Sequence, residues 1–184
     1  MLRARDIPNV ISVLRILLVL PVIHLLLHQE FRLAMLLFFV AGVSDALDGF
    51  LARQFGWRSR LGGILDPLAD KFLLISVFVC LAWLDALPWW LVGLVVLRDL
   101  VIVGGALAYH LTVERLEAEP TLISKLNTAL QILLALLVVY DLGFEPVPGW
   151  ILQGLLWAVS FTLVASGLDY VLEWSRRAAA RKRP

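Results

Sequence analysis

The stretch DALDGFLARQFGWRSRLGGILDPLAD, residues 45–70, sets four aspartates inside otherwise apolar sequence. Asp45 and Asp48 are three apart, and Asp66 and Asp70 are four apart. Residues at these spacings share one face of an α-helix, one turn from each other. If both segments are helical, each presents a pair of carboxylates from a single face. A carboxylate at membrane depth costs roughly 2.5–3.5 kcal/mol on insertion scales. Four of them would total on the order of 10 kcal/mol, comparable with the ~5–15 kcal/mol that stabilises a whole domain. Such a cluster needs compensation, and for grouped carboxylates a hard divalent cation is the natural one.

Outward from this stretch the composition is that of a membrane protein. Hydrophobic residues make up 61% of the 184 residues and charged ones 17%, with a mean hydropathy of +0.88. Six apolar stretches are long enough to span a bilayer, at about 8–28, 33–54, 61–84, 88–110, 121–141 and 149–173, given the roughly 20 residues that a span requires. The loops between them are short, which makes helices adjacent in sequence antiparallel neighbours. No linker, low-complexity tract or internal repeat divides the chain. It reads as one all-α integral membrane domain, residues 1–184, of six transmembrane helices.

The cations give an orientation. With the N-terminus inside, the cytoplasmic segments carry Arg3, Arg5, Arg53, Arg58, Arg60, Arg115, Lys125 and the tail Arg176, Arg177, Arg181, Lys182 and Arg183, while the opposite loops carry only Arg32. By the positive-inside rule both termini are cytoplasmic. Residues 45–70, joining spans two and three, then face the cytoplasm from a cell inner or plasma membrane. The net charge of +1 hides this polarity. Its implied partner is the lipid bilayer, with no nucleic acid expected; the basic tail suits anionic headgroups or simply stops transfer. Residues 2–7 form a short interfacial segment, not a cleavable signal, since no A-x-A-like site follows and Arg15 interrupts the first span. Cys80 reads as a small buried apolar residue. His24, His28 and His110 lack ligand spacing.

The pattern Asp45-x2-Asp48-Gly49-x2-Ala52-Arg53-x8-Gly62-x3-Asp66-x3-Asp70 resembles, position for position, the signature of the CDP-alcohol phosphatidyltransferase family. Eight fixed residues at fixed spacings make a specific signal. The likeness extends over essentially the whole chain, through the number of spans and the place of the motif after the second. It implies an integral membrane enzyme that moves a phosphatidyl group from CDP-diacylglycerol to an alcohol and releases CMP.

The residues suit that chemistry. Negative charge develops as a pyrophosphate bond breaks, and divalent metals commonly stabilise it. Asp45, Asp48 and Asp66 offer hard oxygen ligands to Mg²⁺ or Mn²⁺. The resemblance implies two such ions, with Asp70 sharing one and serving as general base; spacing alone does not separate Asp70 from Asp66. Gly49 and Gly62 lack a Cβ and admit a nucleotide close to the backbone, a property that helix packing also uses. Ala52 fits the same account, and Arg53 offers a planar fork to phosphate. Asn9, with Ser12 and Arg15 in PNVISVLR, resembles the PN-x-x-T-x-x-R opening of phosphatidylglycerol-pathway members and would join the CDP-lipid site; it reads equally as a helix cap.

A second polar cluster combines Arg98 and Asp99 with ISKLNTALQ at 123–131. Arg98 and Asp99 can form a mutually satisfied ion pair, which leaves Lys125 as a spare cation for an acceptor anion. The phosphatidylglycerophosphate synthases of the family typically carry two lysines here, for glycerol 3-phosphate; this chain has Asn127 in place of the second. The stretch resembles the CMP-forming cardiolipin synthases, whose acceptor, phosphatidylglycerol, brings one phosphodiester charge. The resemblance further implies a homodimer, for which Gly104, Gly105 and Ala106 allow close helix approach. An acidic-lined metal or proton transporter is the alternative of another class, although transporters usually show repeats and midplane sites. The seven tryptophans lie mostly near expected interfaces, as aromatic belts do.

Overall fold

Each of the six apolar stretches is an α-helix. The computed structural model describes residues 7–54, 62–112 and 121–181, with side chains at 11, 13–44, 54, 69–105 and 121–172. The helices are α1 (Ile7–Leu27), α2 (Phe31–Gln54), α3 (Gly62–Trp83), α4 (Trp89–Thr112), α5 (Leu122–Gly143) and α6 (Gly149–Arg181). Residues 2–6 of the expected interfacial segment lie outside the described residues, and Ile7 already belongs to α1.

The boundaries depart from expectation in two places. Asn9 sits within the first turn of α1, two residues past its start, so it is not the helix cap; Pro8 beside it is tolerated there because first-turn N–H groups have no intrahelical acceptor. Helix α6 runs to Arg181, well past the expected 173, because Ala178, Ala179 and Ala180 with the flanking arginines favour helix strongly.

At about 1.5 Å per residue, helices of 21 to 24 residues rise ~31–36 Å, close to the ~30 Å hydrocarbon core of a bilayer. Among the described residues, Leu122–Gly143 and Gly149–Leu172 are long and apolar enough to cross a membrane, and Val13–Leu27 and Phe31–Ser44 are shorter apolar stretches. Trp83, Trp89 and Trp150 stand at helix ends, each more than half exposed.

Two connections are closed by the backbone itself. Gln29 takes φ 62° and Asp85 φ 57°. Gln29 N–H donates to Leu26 O at 3.0 Å and Glu30 N–H to Leu25 O at 2.9 Å; Asp85 N–H donates to Ala82 O at 3.1 Å and Ala86 N–H to Leu81 O at 2.9 Å. This is the paired bonding of a left-handed C-terminal cap, usually held by glycine. The first cap turns the chain from α1 into α2 within three residues.

The helices form two packed units. The first contains α1, α2, α3 and residues 135–147; the second contains α4, residues 122–134 of α5, and α6. In the first, α1 packs on both α2 and α3, burying Val19, Val22 and Leu26 of α1, Ala34, Phe38 and Ala41 of α2, and Ala69, Leu73 and Val77 of α3. Within that unit Arg32 Nε donates to Gly143 O at 3.1 Å, and its guanidinium lies 5.3 Å from the Phe144 ring centre. A Cβ on Gly143 would stand 2.6 Å from the Phe31 Cβ, so only glycine fits there. In the second unit α4 packs on α6, burying Leu91 and Val95 against a core that includes Leu134, Val159 and Leu163.

Candidate functional site

The helical condition on the acidic stretch is met. Asp45, Asp48, Gly49, Ala52 and Arg53 lie on α2, and Gly62, Asp66 and Asp70 lie on α3. Both acid pairs therefore keep their one-turn spacing on consecutive helices of one unit. The side chains of Asn9, Asp45, Asp48, Ala52, Arg53 and Asp66 lie outside the described ones. Asp70 is described.

Asp70 meets Arg15 of α1, 55 residues earlier in the chain. Nη1 of Arg15 donates to Oδ1 of Asp70 at 2.6 Å. The two partners differ in burial: the Arg15 side chain is 1% exposed and that of Asp70 43%. A guanidinium withdrawn this far from water needs an anionic partner, and α3 supplies it. Arg15 also lines an apolar cleft of about 430 Å³ with Ile11, Leu14, Leu17 and Leu18 of α1 and Val40 and Ser44 of α2. Ser44 turns its hydroxyl to its own helix, donating to Val40 O at 2.7 Å, and immediately precedes Asp45. Among the described residues, the cleft thus combines a greasy lining with the Arg15 cation. Sequence reasoning took Arg15 as part of an opening motif and an interruption of the first span; its pairing with Asp70 crosses helices and leaves no local signal.

The second cluster lies in the second unit and is closed. Arg98 is 8% exposed. Nη1 donates to Asp99 Oδ1 at 2.7 Å, Nη2 to Ser124 Oγ at 2.5 Å and to Ser166 Oγ at 2.8 Å, and Nε to Ser166 Oγ at 3.3 Å. One guanidinium thereby ties α4 to α5 and α6. The expected ion pair with Asp99 is present, but the residue of α5 that reaches Arg98 is Ser124; its neighbour Lys125 points to the exposed side. Asn127 is wholly buried. Its Oδ1 accepts from Thr162 Oγ1 at 3.1 Å, and its Nδ2 meets no hydrogen-bond partner among the described residues. Gln131, one turn further on, is 4% exposed. Ser166 and Thr162 went unnoticed in the sequence; their four-residue spacing on α6 was the available signal.

The described side chains contain no group of three or more His, Cys, Asp or Glu placed to hold a metal ion; three of the four motif aspartates are not among them. What can be tested is the donor set itself. Carboxylates in two closely spaced pairs are hard oxygen ligands of the kind that divalent Mg²⁺ and Mn²⁺ take, so the residues fit such an ion.

The helices and their acidic motif describe an all-α protein of membrane-associated type. The chain belongs to the CDP-alcohol phosphatidyltransferase family, whose family model matches residues 5–166. It is similar to a Drosophila melanogaster protein named probable cardiolipin synthase (CMP-forming), 34% identical over 90% of this chain and 56% of that one. It is also similar to an Oryza sativa subsp. japonica protein named CDP-diacylglycerol–glycerol-3-phosphate 3-phosphatidyltransferase 1, chloroplastic, 36% identical over 94% of this chain and 58% of that one. The Homo sapiens cardiolipin synthase (CMP-forming) is 33% identical over 89% of this chain and 60% of its own length. The chain thus spans less than two thirds of these relatives. Overall identity does not separate the two acceptors that these names carry.

Proposed function

We propose that this protein transfers a phosphatidyl group from CDP-diacylglycerol to the hydroxyl of phosphatidylglycerol, giving cardiolipin and CMP. The observation that carries the transfer is the motif itself, with Asp45 and Asp48 on one helix and Asp66 and Asp70 on the next, in a chain of this family. The acceptor hydroxyl attacks the phosphatidyl phosphorus, the pyrophosphate P–O bond breaks, and the electron pair leaves with CMP. Asp70 takes the hydroxyl proton. Asp45, Asp48, Asp66 and Asp70 would together hold two divalent ions, Mg²⁺ or Mn²⁺. A cation held there offsets the charge that grows on the phosphate and on departing CMP. Gly49, Ala52, Arg53, Gly62 and Asn9 hold the nucleotide end of the donor. The cleft beside Arg15 suits an acyl chain, since its lining is apolar. The protein works as one six-span membrane domain with its site toward the cytoplasm, an orientation supported by the distribution of arginine and lysine, and as a homodimer.

The choice of acceptor rests on α4 and α5. Asp99 neutralises Arg98, leaving Lys125 as the cation to meet a single phosphodiester, and buried Asn127 stands where a second lysine would serve a phosphomonoester of about −2 charge. Glycerol 3-phosphate is the second reading, favoured by the name of the rice relative.

The test is an acceptor panel. Purified protein with labelled CDP-diacylglycerol and Mg²⁺ should yield cardiolipin and CMP with phosphatidylglycerol, and lose activity with excess chelator. Phosphatidylglycerophosphate as the sole lipid product would transfer the assignment to the second reading.

A further inference from the structure

We infer that Arg15 is a positioning residue for Asp70: it fixes the orientation of the carboxylate from across the helix pair and affects phosphatidyl transfer only through it. This rests on the reading of Asp70 as the proton acceptor.

Arg15 is the bulkiest fully buried side chain among the described residues. It comes from α1, whereas Asp70 comes from α3, and α1 packs directly on α3. A pair whose task was solely to hold two helices together would be expected to withdraw both ends from solvent. Here burial stops at the guanidinium, and 43% of the Asp70 side chain stays accessible. The contact between Nη1 and Oδ1 is a charge-assisted hydrogen bond, a class about twice as strong as neutral ones. An aspartate side chain on a helix has more than one staggered rotamer open to it, and taking a proton in line uses one of them. A guanidinium held immobile by its own burial selects one orientation in advance, so the ordering cost falls on folding, not on each turnover. The fork and permanent charge of arginine suit this task better than the single mobile ammonium of lysine.

Arg15→Met, Arg15→Lys, Asp70→Asn and the double variant Arg15→Met/Asp70→Asn are compared in steady-state kinetics with varied CDP-diacylglycerol. Arg15→Met should lower kcat by about 10–100-fold, the usual effect of removing a residue that orients another, with the KM for CDP-diacylglycerol little changed. Arg15→Lys should fall between it and the wild type. In the Asp70→Asn background Arg15→Met should cost nothing further. A full multiplicative loss in the double variant, or a loss confined to KM, overturns the inference while leaving Asp70 as base. Asp70→Asn with near wild-type kcat overturns the base and, with it, the inference. Where Arg15→Met does not fold, Arg15→Lys in both backgrounds decides: a kcat loss that disappears with Asp70→Asn supports positioning, and an equal loss in both, or none in either, refutes it.

Discussion

Two buried arginines, one in each unit, are held in opposite ways. Arg98 is enclosed by Asp99, Ser124 and Ser166, and its acidic partner is itself 16% exposed. Arg15 is more deeply buried still, yet its partner Asp70 keeps 43% of its side chain open. A cation in an apolar interior needs compensation in either case. When hydroxyls and a carboxylate close around it, the result ties helices together. When the compensating carboxylate remains half open, one charge is buried in the fold and the other stays accessible to solvent. The comparison predicts that substitutions at Asp70, the partner of Arg15, act on rate, and at Asp99, the partner of Arg98, on stability.

The largest effects test the first half. Asp45→Asn, Asp48→Asn and Asp66→Asn should each lose nearly all turnover together with divalent-metal binding, read by activity and by titration calorimetry with Mn²⁺. Asp70→Asn should bind CDP-diacylglycerol nearly as well as the wild type while its rate falls by about 10²–10⁴-fold; a loss of donor binding equal to that of Asp66→Asn would make it a ligand only. In the second unit, Asp99→Asn should leave the Arg98 charge poorly compensated and destabilise by about 3 kcal/mol, seen as a lower midpoint in thermal denaturation in mild detergent, with kcat of the folded fraction preserved. If kcat falls and the midpoint does not, the contrast between the units is wrong. Gly143→Ala, which drives a methyl into Phe31, should destabilise by about 1–3 kcal/mol without touching kinetics. The smallest effect expected is at Lys125→Ala, which should raise the acceptor KM several-fold, leave the CDP-diacylglycerol KM in place and leave the midpoint unmoved, since Lys125 is exposed.

Much of the helix layout was legible in the sequence because apolar run length and charge punctuation are local signals. The six expected stretches and the six helices agree to within a few residues except at α6, where the alanines of 178–180 continue a helix that the hydropathy had ended. The acidic pairs were legible for the same reason, as spacings of three and four along a helix. What could not be read were the contacts that cross helices. Nothing around Arg15 distinguishes a cation that meets Asp70 from one that interrupts a span. Ser166 lies 68 residues from Arg98 in a sequence where a lone serine has many ordinary uses. The place of Lys125 was missed by one residue: the helix turns Ser124 inward, and about 100° of rotation per residue carries the lysine away from Arg98.

Helix α6 carries a mechanical implication. Its 33 residues rise ~50 Å, whereas its apolar portion, Gly149–Leu172, accounts for about 36 Å at the same rise. The remaining turns, to Arg181, are a helical continuation bearing Arg176 and Arg177. In a bilayer a stiff rod that overshoots the hydrocarbon layer behaves as a depth gauge: its charged end resists being drawn into the acyl region, so a thicker membrane must be met by tilt or by local deformation. Bilayer thickness would then bear on this protein as a load applied along one helix axis.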